Sequence, residues 1–363
     1  MPAVGQWDFS GSVSRDESGA RAQSRGSTVL FQRGPGTPAV PPSTCPYSQL
    51  RGLVPARFPR LCTREPDASL GYPLGPAQSG SDMSLTSFLD LPDVRQRLAE
   101  AFEKPRIKLD APMLAAPLSG RASLVGTAFD YLFRFAVLKA NGQRSSARQW
   151  VARGGLARTP PELQREGSLR LKKATTAYRR FAVSDEPLPG PGLVDAAMGL
   201  AQLDVVFRAG VADFELPPEE RQSVGQDLAN LLAVIPMKQF RANSICLANP
   251  TFGDGSRLVG GGDADLLLDG TLLEVKTVKK LALDRSFFNQ LIGYVCLARL
   301  GGVDGCPPGL RRIESIGVYF SRFGLLHTFP LSAVPGIEKL PEFLVWFRKR
   351  AKEEFGLGAG AIG

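Results

Sequence analysis

Two acids and a lysine in one short apolar stretch carry the strongest chemical signal of this chain. Residues 263–277 read DADLLLDGTLLEVKT, with Asp265, Glu274 and Lys276 as the reactive members. Two neighbouring carboxylates repel each other unless a cation lies between them. A hard divalent metal that prefers oxygen ligands and the ammonium of Lys276 are the candidates. The three residues therefore favour metal-assisted chemistry at a centre that develops negative charge.

A tight β-hairpin is the element that would bring these residues together. Asp269-Gly270 is a two-residue signal for a type I′ turn, and residues 271–277 resume with period-2 alternation. A turn centred between 269 and 270 sets Asp265 opposite Glu274, with Cβ atoms about 5 Å apart. The same register sets Asp263 opposite Lys276, so a salt bridge between those two stays open as an alternative.

The helix predicted after this hairpin adds two further polar residues. Its sequence, DRSFFNQLIGYVCLARL, contains Gln290 and Tyr294. Residues four apart share one face of a helix, so both side chains are predicted to point the same way. The order of D, E-x-K and Q-x-x-x-Y over residues 265–294 is therefore more specific than any one of these signals.

This order resembles the PD-(D/E)xK nuclease superfamily, and QLIGY is similar to the Q-L-x-x-Y motif of its RecB-like family. The resemblance implies an α/β fold with a restriction-endonuclease-like core, in which helices flank a mixed central sheet. It also implies a deoxyribonuclease that depends on Mg²⁺ or Mn²⁺, acting in DNA repair, recombination or phage-related defence. Some members carry an iron–sulfur cluster on four cysteines. No such cluster is expected here, because only three of the five cysteines lie beyond residue 82.

The resemblance also assigns roles to individual residues. Asp265, Glu274 and the carbonyl of Val275 would bind the metal, and Lys276 would orient the attacking water and stabilise the developing charge. Gln290 would steady the site or a bound phosphate, whereas Tyr294 would pack beneath the site or contact substrate.

One more acid lies in the strongest predicted helix, residues 122–140, whose apolar residues cover most of its circumference. Members of the superfamily often place a helix before the strands, and that helix sometimes contributes an acid, here Asp130. The alternative is a buried structural ion pair between Asp130 and Arg134, four residues apart.

Composition narrows the possible functions. The net charge of +9 favours a polyanionic partner such as DNA, although a generic basic protein has the same surplus. His327 is the only histidine, which argues against zinc hydrolases, HNH nucleases and Ser-His-Asp catalysis; we interpret it as a structural residue of a strand. No apolar run is long enough for a membrane span and no secretory signal is evident, so the expected location is cytoplasmic.

The chain divides by composition near residue 82. Residues 1–82 are rich in Gly, Pro and Ser, which predicts a disordered segment or a non-native upstream extension, with translation starting at Met83. Residues 83–363 form the nuclease-like domain. Within it, residues 143–244 are mainly polar and predict a helical insertion, while 245–330 hold the catalytic sheet and the Q-x-x-x-Y helix.

Two other segments invite a functional interpretation. Residues 161–181 predict a basic helix that either grips phosphate beside the cleft or simply faces solvent. Its candidate nucleic-acid ligands are Arg170, Lys172, Lys173, Arg179 and Arg180, and the aromatic residues Tyr178 and Phe181 interleave with this basic run. The glycines of the 249–262 loop lack the lysine of a phosphate-binding loop, and we interpret them as permitting a close backbone approach beside Asp265.

Two hypotheses of different class follow. The first is a metal-dependent DNase, and the second is a non-catalytic member of the same fold that binds nucleic acid or a partner nuclease. An RNA- or tRNA-directed hydrolase is a third possibility, because the same site would serve it. No DNA-reading module accompanies the motifs, so a partner protein is a candidate source of specificity.

Overall fold

The computed structural model describes residues 84–306 and 312–356. The predictions for residues 1–82 and for a start at Met83 lie outside this range. The helices of the described part are α1 Leu85–Leu89, α2 Pro92–Ala101, α3 Ala122–Ala140, α4 Val151–Arg158, α5 Gln164–Val183, α6 Pro191–Ala209, α7 Pro218–Ala233, α8 Asp254–Leu258, α9 Arg285–Gly301 and α10 Leu340–Glu354.

The strands of the described residues form one five-stranded mixed sheet in the order β1-β2-β3-β4-β5. Their bounds are β1 Cys246–Ala248, β2 Leu266–Leu268, β3 Thr271–Lys276, β4 Ser315–Phe320 and β5 Leu325–Pro330. The pairing is antiparallel except between β3 and β4, which run parallel. A parallel pair needs a crossover connection, and α9 lies in the chain between these two strands. The predicted α/β class with a mixed sheet flanked by helices is confirmed.

The hairpin has the register predicted from its turn. Leu266 pairs with Leu273, which aligns the position of Asp265 with that of Glu274. Asp269 has φ 45° and Gly270 has φ 89°, as a type I′ turn requires of both central residues. The Asp269 carboxylate also accepts hydrogen bonds from the backbone N–H groups of residues 243–245, so the turn fixes the chain that enters β1.

The sheet is buried on both faces, which explains why its central strands are apolar without clean alternation. One face packs against α3 and the helices α4–α7 through Leu266, Leu268, Leu273 and Tyr319. The other face packs against α1, α2, α9 and α10 through Leu267, Leu272, Ile316, Val318 and Phe320. The central strand β3 therefore lies between two hydrophobic cores, and any charge it carries is costly unless it is compensated.

The 143–244 segment is helical as predicted, but its predicted polar character is wrong for α6. This helix is buried over most of its length and belongs to the same core as the sheet. It passes so close to α4 that a Cβ at Gly155 would lie 1.7 Å from the carbonyl oxygen of Leu203. The helices of this segment thus cover one face of the sheet and share its core.

A buried ion pair ties the connection between β4 and β5 to the helices that cover the sheet. Arg322, between β4 and β5, donates to both carboxylate oxygens of Asp227 on α7 at 2.7 and 3.1 Å. It also donates to the carbonyl of Ala115.

None of the described helices is long and apolar enough to span a lipid bilayer.

Candidate active site

The two acids of the hairpin meet at the end of the β2–β3 pair. Asp265 directly precedes β2, and its Oδ2 accepts a 2.7 Å hydrogen bond from the backbone N–H of Val275. Glu274 lies on β3 with only 5 % of its surface exposed. Asp263 does not face Lys276 as the alternative interpretation required. It instead bridges to Thr251 and accepts a hydrogen bond from the Asn249 side chain at 2.8 Å.

Lys276 is fixed by three different contacts. Its Nζ donates to Glu274 Oε1 at 2.8 Å and to Gln290 Oε1 at 2.9 Å. The ammonium also lies 4.7 Å from the ring centroid of Phe287, within range of a cation–π interaction. Phe287 was not predicted from sequence, because a phenylalanine on an amphipathic helix carries no signal beyond packing.

Gln290 and Tyr294 share one face of α9, as their spacing predicts. Gln290 Nε2 donates to the Tyr294 hydroxyl at 2.8 Å, which extends a hydrogen-bonded chain from Tyr294 through Gln290 and Lys276 to Glu274. The Tyr294 ring stacks on Phe252 and is 5 % exposed. Burial, together with the charge of Glu274, raises the pKa of Tyr294 well above its ordinary value. Of the two predicted roles, its position supports packing beneath the site.

Asp130 reaches the same cluster from α3. Its Oδ2 pairs with Arg134 Nη2 at 2.7 Å, so the predicted i, i+4 ion pair is present. Burial raises the pKa of Asp130 to about 7, and the charge of Asp265 adds to this although Arg134 opposes it. Asp130 is therefore both the ion-pair partner of Arg134 and an acid close to Asp265. The structural interpretation of Asp130 and its interpretation as an additional acid of the site do not exclude each other.

The acids on β2 and β3 are also held in an environment that disfavours ionisation. Burial and the charge of Asp265 raise the pKa of Glu274 to about 8, although Lys276 lowers it. Burial likewise raises the pKa of Asp265 against the hydrogen bond from Val275. Glu274 Oε2 and Asp130 Oδ1 are buried and make no hydrogen bond. Such unsatisfied oxygens are destabilising, and they are the atoms a cation would satisfy.

The wider cluster carries an excess of acid. Five carboxylates interact electrostatically with three cations, which leaves two negative charges when all groups are ionised. The acids are Asp130, Asp204, Asp263, Asp265 and Glu274, and the bases are Arg134, Arg208 and Lys276. This donor set fits one divalent cation in both its charge and its oxygen chemistry.

The cluster is not a closed metal cage. Among residues 84–306 and 312–356, no three His, Cys, Asp or Glu side chains form a group that meets the geometry of a metal site. Mg²⁺ keeps several of its own waters and is commonly held by one or two carboxylates. The predicted ligands, Asp265, Glu274 and the carbonyl of Val275, would be sufficient in number for such an ion.

The basic residues predicted on α5 are not part of this cluster. Arg170 donates to Gln202 Oε1 at 2.9 Å and to the carbonyl of Phe214 at 2.6 Å, and Lys173 pairs with Asp195. Lys172, Arg179 and Arg180 lie exposed on α5. In the described part of the chain, no hydrogen bond or ion pair joins any of these five basic residues to Asp130, Asp265 or Glu274. The neighbouring aromatic residues Tyr178 and Phe181 lie in the hydrophobic core.

The glycine loop serves a contact different from the predicted one. A Cβ at Gly262 would lie 2.7 Å from Leu297 Cδ1 on α9 and 3.3 Å from Leu85 on α1. The close approach is therefore to α9 and α1, and the interpretation that these glycines make room beside Asp265 is wrong.

Sequence reasoning missed two members of the cluster, Asp204 and Arg208. Both lie on α6, where Asp204 is 2 % exposed within an otherwise apolar stretch. A lone acid in a buried helix is an available signal, because such a group needs a partner. The sequence does not reveal that this part of α6 lies beside residues of α3 and the hairpin.

His327 lies on β5 opposite Val318, so its predicted position in a strand is confirmed, although its buried Nε2 makes no hydrogen bond. Comparison with protein-family models, with curated proteins and with solved structures found no match to this chain.

Proposed function

We propose that this protein is a metal-dependent nuclease that hydrolyses DNA phosphodiester bonds, with a restriction-endonuclease-like fold of the RecB-like type. The observation that carries the proposal is the joining of two desolvated acids to a hydrogen-bonded lysine, glutamine and tyrosine in one cluster. Groups with strongly perturbed pKa values and a specific charged partner concentrate at functional sites. The five residues are the ones whose order in the sequence suggested this family.

The topology supports the same proposal. The central strand β3 carries both Glu274 and Lys276, and the crossover to its parallel neighbour β4 includes α9 with Gln290 and Tyr294. Asp265 directly precedes the antiparallel neighbour β2. Acids from two paired strands and an amide from the crossover helix thereby converge at one end of β3.

Asp265 and Glu274, with the carbonyl of Val275, would hold Mg²⁺ or Mn²⁺. The bound cation would polarise the phosphate and lower the pKa of an attacking water. Asp130 is a further acid of the site, since its unsatisfied Oδ1 belongs to the same electrostatic cluster.

The protein's own groups have distinct roles in this proposal. Lys276 places a positive charge where the phosphate gains negative charge, and it orients the nucleophilic water. Gln290 accepts a second hydrogen bond from the ammonium, and Gln290 in turn donates to the Tyr294 hydroxyl. The backbone N–H of Val275 fixes one oxygen of Asp265, which leaves the other for a ligand. Groups positioned in advance in this way lower the reorganisation needed in the transition state.

The net charge of +9 supports a polyanionic substrate, because phosphate neutralisation dominates nucleic-acid affinity. The test is a cleavage panel of linear and circular, single- and double-stranded DNA, with RNA, each in Mg²⁺, Mn²⁺ or EDTA. We expect metal-dependent cleavage of DNA by the wild type. Glu274→Ala and Lys276→Ala are expected to reduce it by roughly 100-fold or more.

Matched control variants come from an exposed ion pair on α10, Lys349 with Glu353. Glu353→Ala and Lys349→Ala make the same chemical changes at this exposed pair, outside the cluster, and should cleave like the wild type. Unchanged cleavage by both site variants would refute the assignment of the site. DNA binding without cleavage under any cation would favour the non-catalytic alternative, and preferential cleavage of RNA would favour the RNA-directed one.

A further inference from the structure

We propose that Arg208 binds a backbone phosphate of the substrate next to the bond that is cleaved, and that Asp204 and Tyr131 position it for this task. The inference rests on the proposed nuclease function and adds a substrate-binding residue to it. No motif identified in the sequence includes Arg208.

Arg208 is tethered at one end and open at the other. Its Nε donates to Asp204 Oδ1 at 2.5 Å, where the side chain of Asp204 is only 3 % exposed. The Arg208 side chain itself is 63 % exposed. In the described part of the chain, Nε carries the only hydrogen bond of the guanidinium, and Nη1 and Nη2 make none. The two terminal nitrogens of a guanidinium match the geometry of two phosphate oxygens.

Asp204, which holds Arg208, is itself held in place by buried groups. Asp204 accepts a second hydrogen bond, at 3.1 Å, from the hydroxyl of Tyr131, and that hydroxyl accepts one from the backbone N–H of Ala152. Tyr131 is buried and packs edge-on against Trp150. An exposed i, i+4 pair on a helix is usually mobile and contributes little stability. Here the acid is buried and fixed from two sides, so the guanidinium is presented in a defined orientation.

Arg208 also belongs electrostatically to the catalytic cluster. Asp130 is the sequence neighbour of Tyr131 on α3, and the Tyr131 hydroxyl donates to Asp204, the partner of Arg208. Asp263 and Asp130 also act electrostatically on Arg208. The other two cations of the cluster are enclosed, since the side chains of Arg134 and Lys276 are 8 % and 18 % exposed and each is paired with an acid of the cluster. Among these three cations, Arg208 is the one with terminal donors open to an incoming polyanion.

The chemistry that would be recognised is a phosphodiester or terminal phosphate on a strand that passes the cluster. A fluorescein-labelled oligonucleotide, single- or double-stranded, is the probe, and its anisotropy gives the affinity in EDTA across a salt series. Arg208→Gln is compared with Arg208→Lys and with Arg348→Gln, which removes an exposed arginine from α10 on the other face of the sheet.

We expect Arg208→Gln to weaken binding roughly 10-fold, as for the loss of a hydrogen-bonded charge. The slope of log K against log salt should decrease by about one. Arg208→Lys keeps the positive charge but lacks the paired terminal N–H groups of the guanidinium. It should therefore have the salt slope of the wild type but only part of its affinity. Arg348→Gln should behave like the wild type. Equal affinity and slope for Arg208→Gln and the wild type would overturn the proposal, as would a wild type that binds no oligonucleotide.

The positioning role of Asp204 has its own readout. Asp204→Asn keeps an acceptor for Tyr131 but weakens the hold on Arg208 Nε, so KM should rise several-fold while kcat changes little. A fall in kcat with KM unchanged would refute it. Cleavage by the wild type tests the proposed function separately, because an active enzyme whose Arg208→Gln variant binds normally refutes this inference alone.

Discussion

Glu274 combines burial with a like-charged neighbour, and this combination distinguishes it from a compensated structural acid. A structural carboxylate is normally compensated, as Asp227 is by Arg322. Glu274 has Lys276 on one oxygen and nothing on the other, and Asp265 opposes its ionisation. Such an arrangement is destabilising in the metal-free protein, and this cost is what the proposed metal site predicts.

The consequence for pH follows from the direction of the shift. Because burial first and Asp265 second raise the pKa of Glu274 to about 8, the folded protein binds the proton more tightly than the unfolded chain does. This group therefore lowers the free energy of unfolding progressively as pH rises from the unfolded pKa, about 4.3, toward 8. An ordinary salt-bridged carboxylate has the opposite effect, because it raises the free energy of unfolding as pH rises.

We expect Glu274→Gln to raise the stability of the metal-free protein at pH 8, by about 1 kcal/mol or more, while cleavage is lost. Glutamine keeps an oxygen acceptor for Lys276 but carries no charge. Urea unfolding in EDTA at pH 5.5 and pH 8 measures the effect, and the difference between variant and wild type should be larger at pH 8. A variant less stable than the wild type at pH 8 would mean that Glu274 is a structural ion-pair partner.

At the scale of elements, the turn of the hairpin controls where both acids lie. Asp269 and Gly270 both adopt positive φ, and the Asp269 carboxylate is a shared acceptor for the chain entering β1. A slip of one residue would move Glu274 and Lys276 to the opposite face of the sheet. The turn therefore sets the alignment of Asp265 with Glu274.

The carboxylate of Asp269 should make the free energy of unfolding fall as pH falls, as is usual for a hydrogen-bonded acid. Partial burial raises the pKa of Asp269, but hydrogen bonds from the N–H groups of residues 243–245 outweigh it and lower that pKa to about 2. The stabilisation is thus present above the unfolded pKa, about 3.9, and is lost as pH falls through about 2. Asn tolerates the left-handed conformation, so Asp269→Asn keeps the backbone and removes the charge.

Asp269→Asn should be less stable than the wild type at pH 6, and the difference should shrink as pH falls toward 2. Urea midpoints at pH 6, 4 and 3 measure it. Asp254→Asn, at an exposed helix start, is the matched control. A stability difference that is constant with pH would show that the charge of Asp269 contributes nothing to the turn.

Elements with a strong local signal were predictable from the sequence. The buried helix was expected over 122–140 and is observed as Ala122–Ala140, and the register of the hairpin follows from its two-residue turn. Periodicity and turn chemistry act within a few residues, so they need no knowledge of the tertiary structure. The polar interpretation of 143–244 was wrong for α6 because its composition was averaged with that of neighbouring segments.

At the scale of the whole molecule, two hydrophobic cores enclose one sheet and leave the charged groups at one end of β3. The helices α3 and α6 deliver Asp130 and Arg208 from one face, and α9 delivers Gln290 from the other. The residues of the hairpin and α9 were predictable because they are near in sequence. Arg208 was not, because its proximity to the hairpin depends on how α6 packs against α3.

In the proposed site, Asp265 and Glu274 bind a divalent metal while Lys276 acts on the substrate. The most direct measurement is Mn²⁺ binding, by electron paramagnetic resonance, alongside cleavage of linear DNA, for the wild type, Asp265→Asn, Glu274→Gln and Lys276→Met. We expect the two acid variants to lose both Mn²⁺ binding and cleavage. Lys276→Met should keep Mn²⁺ binding and lose cleavage. Mn²⁺ affinity unchanged in both acid variants would contradict the account.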